Sequence, residues 1–354
     1  MKFAQLFPTP KFIMPTTVGI DFSDTALRFL SLEKKGDILL PASFKEIPLN
    51  PGVVVGGRVK DTAAFSAVLQ NVKDTHGIEF VKVSIPESQL YLSTIAIDKA
   101  DAHHMSQAIE LVLEDHIPLT LNEAVFDFSV LKEEQDKIIV QVVAAPIAII
   151  QELHDILSGV GLIPLAFELE GQAVARAIFS NPNEGSRMIV DFGAARTTIT
   201  VVTGGISVFT STLEFGGAHL TTMLAKELNV SLEDAETLKR TYGLQAMGER
   251  QDIFEVISGG VGTLKDEINR RYVFWHEQND QNFHFPRIQD IVICGGYSNL
   301  PGLADYLSAS LKLQVSQASP WKNCFSTDDT IPSIDKERAM SFITCIGLCL
   351  SDYE

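Results

Sequence analysis

Two aspartates give the first sign of chemistry. Asp21 stands next to last in the apolar run TVGIDF, before Phe22 and the polar turn Ser23-Asp24-Thr25. Asp191 stands likewise in MIVDF, ahead of Gly193-Ala194-Ala195-Arg196. Aspartate at a strand end is also ordinary turn chemistry, so neither residue marks a site alone. A third segment adds a different device: DIVIC runs into Gly295-Gly296-Tyr297-Ser298, with a helix predicted from about Leu303. A strand that ends in Gly-Gly before a helix lets main chain approach a ligand that side chains would hold away. No GK[ST] follows, so this is not a Walker A loop, and GxGxxG is absent as well. Cys294, Cys324, Cys345 and Cys349 form no CxxC, and the last two sit one helical turn apart like small buried apolar residues. That is no disulfide framework, and a reducing compartment is expected. His103-His104 and His116 lack companion cysteines or ligand-spaced carboxylates, so zinc is not expected.

The elements that carry these residues repeat. Strands are predicted over 17–22, 26–32 and 38–47, joined by Ser23-Asp24-Thr25 and Lys35-Gly36-Asp37. A second set is predicted over 188–192, 197–202 and 206–213, with Gly204-Gly205 in the second turn. Asp21 and Asp191 stand 170 residues apart, about half of the 354-residue chain. Two meanders can match by chance, but each is followed by helical periodicity, over 63–74 in the first half and 219–228 in the second. A repeat at half-length signals duplicated lobes; solenoid periods are much shorter.

Composition bounds the function. Hydrophobic residues make up 45% and charged residues 21%, enough to bury a large core. Lys+Arg 28 against Asp+Glu 45 gives a net charge of −17. That disfavours a nucleic-acid reader or a direct hold on anionic lipid, both of which need a basic face. The start, MKFAQLFPTPKFIMP, is interrupted by Pro8, Pro10 and Pro15 and has no signal-peptide core. The most apolar stretch, 138–150, is 13 residues long, short of the roughly 20 a membrane span needs. A soluble cytoplasmic protein is expected. RRYVFWHEQ alternates basic and aromatic residues, but Ile268, Tyr272 and Trp275 fall at helical spacing, which predicts a core-facing helix.

Taken together, these segments resemble the actin/hexokinase/heat-shock-chaperone ATPase superfamily, and more narrowly its FtsA-like branch of PilM proteins of type IV pilus machines. The resemblance spans about 16–350 and rests on five ordered motifs. It implies an α/β, actin-like fold of two duplicated lobes around a nucleotide cleft, with ATP or ADP and Mg²⁺ as cofactors. The first phosphate loop corresponds to VGIDFSDTALRFLSL, implying contacts from Asp21, Ser23, Asp24, Thr25 and Arg28. Arg28 stands where relatives carry Lys, and Ser23 where they often carry Gly. The second loop corresponds to VDFGAARTT, implying Asp191, Gly193, Ala194 and Thr197, followed by Gly216-Gly217. The adenosine motif corresponds to ICGGYSNLPGL, implying Gly295, Gly296, Tyr297 and Ser298. LEDAETLKRTYG supplies Glu236 and Lys239 for ribose and base. Turn N–H groups would cradle phosphate, and Asp21 with Asp191 would hold Mg²⁺ through water, because Mg²⁺ keeps much of its hydration shell. The connecting helices correspond to FELEGQAVARAI and FITCIGLCL. Relatives begin the first with Glu-Pro; this chain has Glu170-Gly171. Glu170 reads either as the residue positioning water at the γ-phosphate or as a solvated carboxylate favoured at a helix N-terminus.

The resemblance also implies organisation and partners. The first lobe would run over 16–80, an FtsA/PilM-type block over 81–157, and the first connecting helix over 158–186. The second lobe would take 187–325, with a helical part over about 220–285, and 326–354 would return to the first lobe. Within the block, strands are predicted over 81–85, 91–97, 124–131 and 138–144, with helices over 100–113 and 147–159. The acidic cluster 132–136 reads as a solvated turn. The function implied is an ATP-binding scaffold of a pilus or related secretion platform, with at most slow hydrolysis and peripheral to the inner membrane through a partner. That partner is the cytoplasmic N-terminal tail of a PilN-like membrane protein, with a PilO-like protein, a secretion ATPase and self-association as further expectations. An FtsA-like polymerising protein is the alternative. No basic amphipathic tail follows the last helix before Ser351-Asp352-Tyr353-Glu354, which counts against direct membrane attachment. A sugar or acetate kinase would need a dedicated catalytic aspartate between larger lobes, and none is seen.

Overall fold

The computed structural model describes residues 17–180, 185–245 and 250–353. The start read for a signal peptide and the last residue, Glu354, lie outside them. Strands β1 (Val18–Phe22), β2 (Ala26–Lys35) and β3 (Ile38–Pro48) form an antiparallel meander with Asp21 opposite Arg28. A small hairpin follows, β4 (Val54–Val55) and β5 (Arg58–Val59), and then helix α1 (Thr62–His76), capped by Asp61 accepting from the Ala64 amide. Strand β6 (Phe80–Ile85) returns parallel to β1.

The chain then leaves for a separate three-stranded sheet. Strand β7 (Tyr91–Asp98) leads through a 3₁₀ turn into α2 (Met105–Leu113), then β8 (Ala124–Glu133) and β9 (Lys137–Pro146), in the order β7-β9-β8. Ile109 and Leu113 of α2 pack on Ile95, Ile97, Val140 and Val142. Helix α3 (Ile147–Gly159) and strand β10 (Ile163–Leu169) bring the chain back, with β10 parallel to β6. Phe80–Ile85 and Ile147–Gly159, read from the sequence inside the 81–157 block, therefore pack with the first sheet. β6 is an interior strand of that sheet, and Ile149, Leu153, Ile156 and Leu157 of α3 cover the same face as Phe65 and Leu69 of α1.

Helix α4 (Glu170–Ile178) crosses to the second half, where β11 (Ser186–Phe192), β12 (Thr197–Thr203) and β13 (Ile206–Leu213) form another meander. Helices α5 (Gly217–Leu228), α6 (Leu232–Tyr242) and α7 (Gln251–Asn282) follow, then β14 (Ile288–Cys294), α8 (Leu303–Leu311), β15 (Val315–Gln317), the short α9 (Lys336–Ala339) and α10 (Ile343–Leu350). The sheets run β10-β6-β1-β2-β3 and β15-β14-β11-β12-β13. In each, the meander's first strand is flanked by a parallel strand that arrives later, so the half-chain repeat is a repeat of topology. Ile268 and Trp275 of α7 are buried in the second core, as their spacing predicts.

The two connecting helices lie between the sheets. Val174 and Ile178 of α4 and Ile343 and Ile346 of α10 share one core with Leu30 and Leu32 of the first sheet and Ile189, Val202 and Val292 of the second. All eight residues of α10 are buried. Lys132 docks the β8–β9 hairpin onto the second half, donating to the Phe283 carbonyl at 2.5 Å. The neighbouring Glu133, Glu134 and Asp136 are exposed, so only Lys132 departs from a solvated turn.

Candidate functional site

A cleft of about 380 Å³ opens between the ends of β1 and β11. Asp21, Ser23, Asp24, Thr25, Arg28, Glu170, Asp191, Gly193, Ala194, Gly295, Gly296 and Tyr297 all line it. Asp21 is buried, accepts from the Ser84 hydroxyl at 2.7 Å and lies 3.7 Å from Arg28, which also pairs with Glu46 at 2.6 Å. In the first turn, the Thr25 and Ala26 amides donate to Ser23 Oγ at 3.4 and 3.3 Å. Ser23 thus turns inward two N–H groups that a glycine there would leave to a ligand. On the second hairpin Ala194 and Ala195 line the cleft, and their amides make no hydrogen bond among the described residues.

Several predicted site residues support the cleft from behind. Thr197 is buried and donates to the Phe215 carbonyl at 2.6 Å. Strand alternation gives the reason: Thr197 pairs with Phe192, whereas Thr198 pairs with Asp191 and shares its cleft-facing side. Gly216 and Gly217 seat α5 on the hairpin; Gly217 N–H donates to the Gly193 carbonyl at 2.9 Å, and a Cβ on Gly217 would collide with the Tyr297 ring. Ser298 is buried and donates to the Gly295 carbonyl at 2.7 Å, which fixes the Gly-Gly turn. Gly295 takes φ 88°, and a Cβ there would strike the Asp191 carboxylate.

Glu236 and Lys239 also lie behind the wall. Lys239 is 2% exposed, and its ammonium donates to Gly217 O at 2.9 Å, Thr221 Oγ1 at 2.6 Å and Glu236 Oε2 at 2.5 Å. It sits 4.3 Å from the centre of the Tyr297 ring. All its donors are engaged, and Arg240, one residue on, reaches the cleft instead. Lys239→Met is expected to lower stability by about 3 kcal/mol, because breaking a buried pair strands its partners; urea unfolding measures it.

Sequence reasoning missed Glu87. It is 4% exposed in the turn after β6 and lines the cleft; its Oε1 accepts the Gly171 amide at 2.5 Å, and its carboxyl shares a hydrogen bond with that of Glu170. A glutamate directly after a buried parallel strand was the available signal. Gly171 supplies the N–H that Glu87 accepts, which the proline expected there from the resemblance would lack. Asp21, Asp24, Glu46, Glu87, Glu170 and Asp191 all line the cleft, and four of these carboxyls, Asp21, Glu87, Glu170 and Asp191, act on one another electrostatically. Burial, then repulsion from Glu87, Asp21 and Asp191, pushes Glu170 well above the usual carboxylate range. Burial, followed by Asp21 and Glu87, raises Asp191 to about 7. Burial also raises Asp21 against the opposing pull of Arg28.

This donor set suits a hydrated divalent cation. These four carboxyls supply negative charge and acceptors for coordinated water, and no three of the described His, Cys, Asp or Glu residues are placed to hold a bare ion. The four cysteines are free and buried. His103, His104 and His116 are exposed.

Two sheets of one strand order, joined by paired helices and facing each other across a carboxylate-lined cleft, define an actin-like α/β fold. Solved structures share it. MreB5 of Spiroplasma citri bound to ADP matches with a TM-score of 0.56 and 12% identity, over 89% of this chain and 94% of that one. The ethanolamine utilization protein EutJ from Carboxydothermus hydrogenoformans matches with a TM-score of 0.55 and 17% identity, over 97% and 91%. A chain of the PilM-PilN type IV pilus biogenesis complex matches with a TM-score of 0.76 and 23% identity, over 96% of this chain and 99% of that one. Cell division protein FtsA of Streptococcus pneumoniae is 28% identical over 159 residues, 39% of this chain and 34% of FtsA. The matches to curated relatives thus span about a third of their length or less. The chain belongs to the family described as type IV pilus assembly protein PilM, which it matches over residues 19–353. No helix among the described residues is long and apolar enough to cross a membrane.

Proposed function

We propose that this pilus-assembly scaffold binds ATP or ADP with Mg²⁺ in the cleft and uses it as a conformational ligand for a partner groove. The observation that carries the reading is the convergence of both hairpins and four carboxyls on one cleft between the lobes. Asp21 and Asp191 would hold the hydrated Mg²⁺, with Glu87 and Glu170 accepting from its waters. The ion supplies charge neutralisation for phosphate when bound. The Ala194 and Ala195 amides would be free to donate to the phosphates, and Gly295-Gly296 would leave main-chain room beside them. Burial and the neighbouring carboxylates raise Glu170 well above the usual carboxylate range, and turnover at this site is at most slow.

A second cavity of about 650 Å³ supplies the groove, where the three-stranded sheet, β10 and the start of β13 meet. β8 and β10 are both sheet-edge strands, and Val125 and Leu165 on them are 45% and 47% exposed. Unpaired edges beside apolar pockets suit an extended peptide added as a strand. The N-terminal tail of a PilN-like membrane protein is the proposed occupant, holding the protein at the cytoplasmic face of the inner membrane. A PilO-like protein and a secretion ATPase are further partners for the acidic surface. Helix α4 joins the two sites. Glu170 at its start lines the cleft, while Gln172 lines the groove and binds Gly205 O and Ser207 N of the second lobe, each at 2.9 Å. Lobe closure therefore alters a groove wall. Isothermal titration with ATP·Mg²⁺ tests the nucleotide part: wild type binds, Asp191→Ala binds at least tenfold more weakly, and a silent wild type sinks it.

A further inference from the structure

The cleft holds three arginines, and the protein's own carboxylates pair all of them. Arg28 is held by Asp21 and Glu46, and Arg240 by Glu236, each within its own lobe. Arg196 alone pairs across the cleft: from the second hairpin its guanidinium donates to Asp24 on the first. Asp24 has two further partners, the Gly56 and Gly57 amides, at 3.0 Å each. These belong to the β4–β5 turn, whose two glycines take φ 63° and 75°. Two successive N–H groups and one guanidinium around a carboxylate make a seat for an oxyanion. Both Asp24 and Arg196 line the cleft, the Asp24 side chain is 25% exposed, and the Gly56 and Gly57 amides lie behind it, covered by the Asp24 carboxylate.

We propose that the Gly56 and Gly57 amides with Arg196 form a phosphate seat that Asp24 occupies in the ligand-free protein, latching the lobes, and that a terminal phosphate takes the seat by displacing it. The inference rests on the nucleotide reading of the cleft but adds a loop and an arginine outside the two expected phosphate hairpins. Displacement moves Asp24 toward solvent and keeps Arg196 paired, now to the ligand. The shared chemistry is a phosphoryl oxyanion, from a triphosphate or from inorganic phosphate.

Asp24→Asn keeps the side-chain shape and removes the competing charge. Titrations of wild type, Asp24→Asn and Arg196→Ala with ATP·Mg²⁺, ADP·Mg²⁺ and inorganic phosphate test the seat, with circular dichroism checking that each variant folds. Asp24→Asn is expected to bind ATP roughly tenfold more tightly than wild type, with ADP nearly unchanged, and Arg196→Ala to lose a similar factor for ATP. If inorganic phosphate binds Asp24→Asn while neither nucleotide binds any form, the seat stands and the nucleotide reading fails. If ATP binds wild type and Asp24→Asn equally, or the variant more weakly, the seat is overturned and the nucleotide reading stands. If no form, wild type included, binds any phosphate compound, both fall.

Discussion

Replacing Gly347 with alanine is expected to destabilise the protein by about 3 kcal/mol. Gly347 lies on α10 where it crosses α4, and a Cβ would be driven into the Ala173 main chain. Main chain cannot escape by changing rotamer, so the helices must separate. The core around them is shared by both sheets. Separation would also weaken the bond from Arg176 Nη1 to the Gly347 carbonyl, 3.0 Å long. At roughly 2–4 °C per kcal/mol, the midpoint should fall by about 6–12 °C. Gly262→Ala in the long helix α7 is the contrast: nothing lies within 4 Å of the added Cβ, and a gain of about 0.5–1 kcal/mol is expected from helix propensity. Equal and small effects at both positions would mean that the two connecting helices are not packed main chain to main chain.

The second large effect is a dependence of ligand-free stability on pH. Asp191 titrates at about 7 in the folded chain against 3.8 as a free group. Between those values the folded state binds more protons than the unfolded state, so stability is full below about pH 4 and falls as pH rises through 7. The loss is on the order of 4 kcal/mol, shared with the raised Glu170 and Asp21. Asp191→Asn should flatten the slope and be more stable than wild type at pH 8, while losing Mg²⁺-dependent binding. That pairing of gained stability with lost function is typical of a cleft kept under electrostatic strain for a ligand. Urea unfolding at pH 5.5 and pH 8 decides it; wild type more stable at pH 8 than at pH 5.5 would contradict the shared-charge description of the cleft.

Local pattern made much of this legible. The meanders after 17 and 188, the Gly-Gly turn at 295 and the apolar helix before Ser351 are periodic or punctuated signals, and each formed where the pattern placed it. What failed to show depends on partners distant in the chain. Thr197 and Thr198 are indistinguishable as a pair in sequence; the register with Asp191 decides which faces the cleft. Lys239 looks available until α5 supplies the Gly217 carbonyl and Thr221 hydroxyl that bind it. Glu87 is hidden because the strand before it reads with the neighbouring block, and its hydrogen-bond donor Gly171 lies 84 residues away. The Asp24–Arg196 pair spans 172 residues and joins two turns that sequence treats as separate motifs.

Cleft and groove are proposed to be coupled, and coupling is reciprocal: a nucleotide that changes peptide affinity must have its own affinity changed by the peptide. The most direct measurement is fluorescence anisotropy of a labelled PilN-type N-terminal peptide, titrated with the full chain alone, with ADP·Mg²⁺ and with ATP·Mg²⁺. Peptide binding that shifts at least fivefold between ligand-free and ATP·Mg²⁺ forms, and loses that shift in Gln172→Ala, is the predicted result. Peptide affinity identical in all three conditions, with nucleotide shown to be bound, would contradict it.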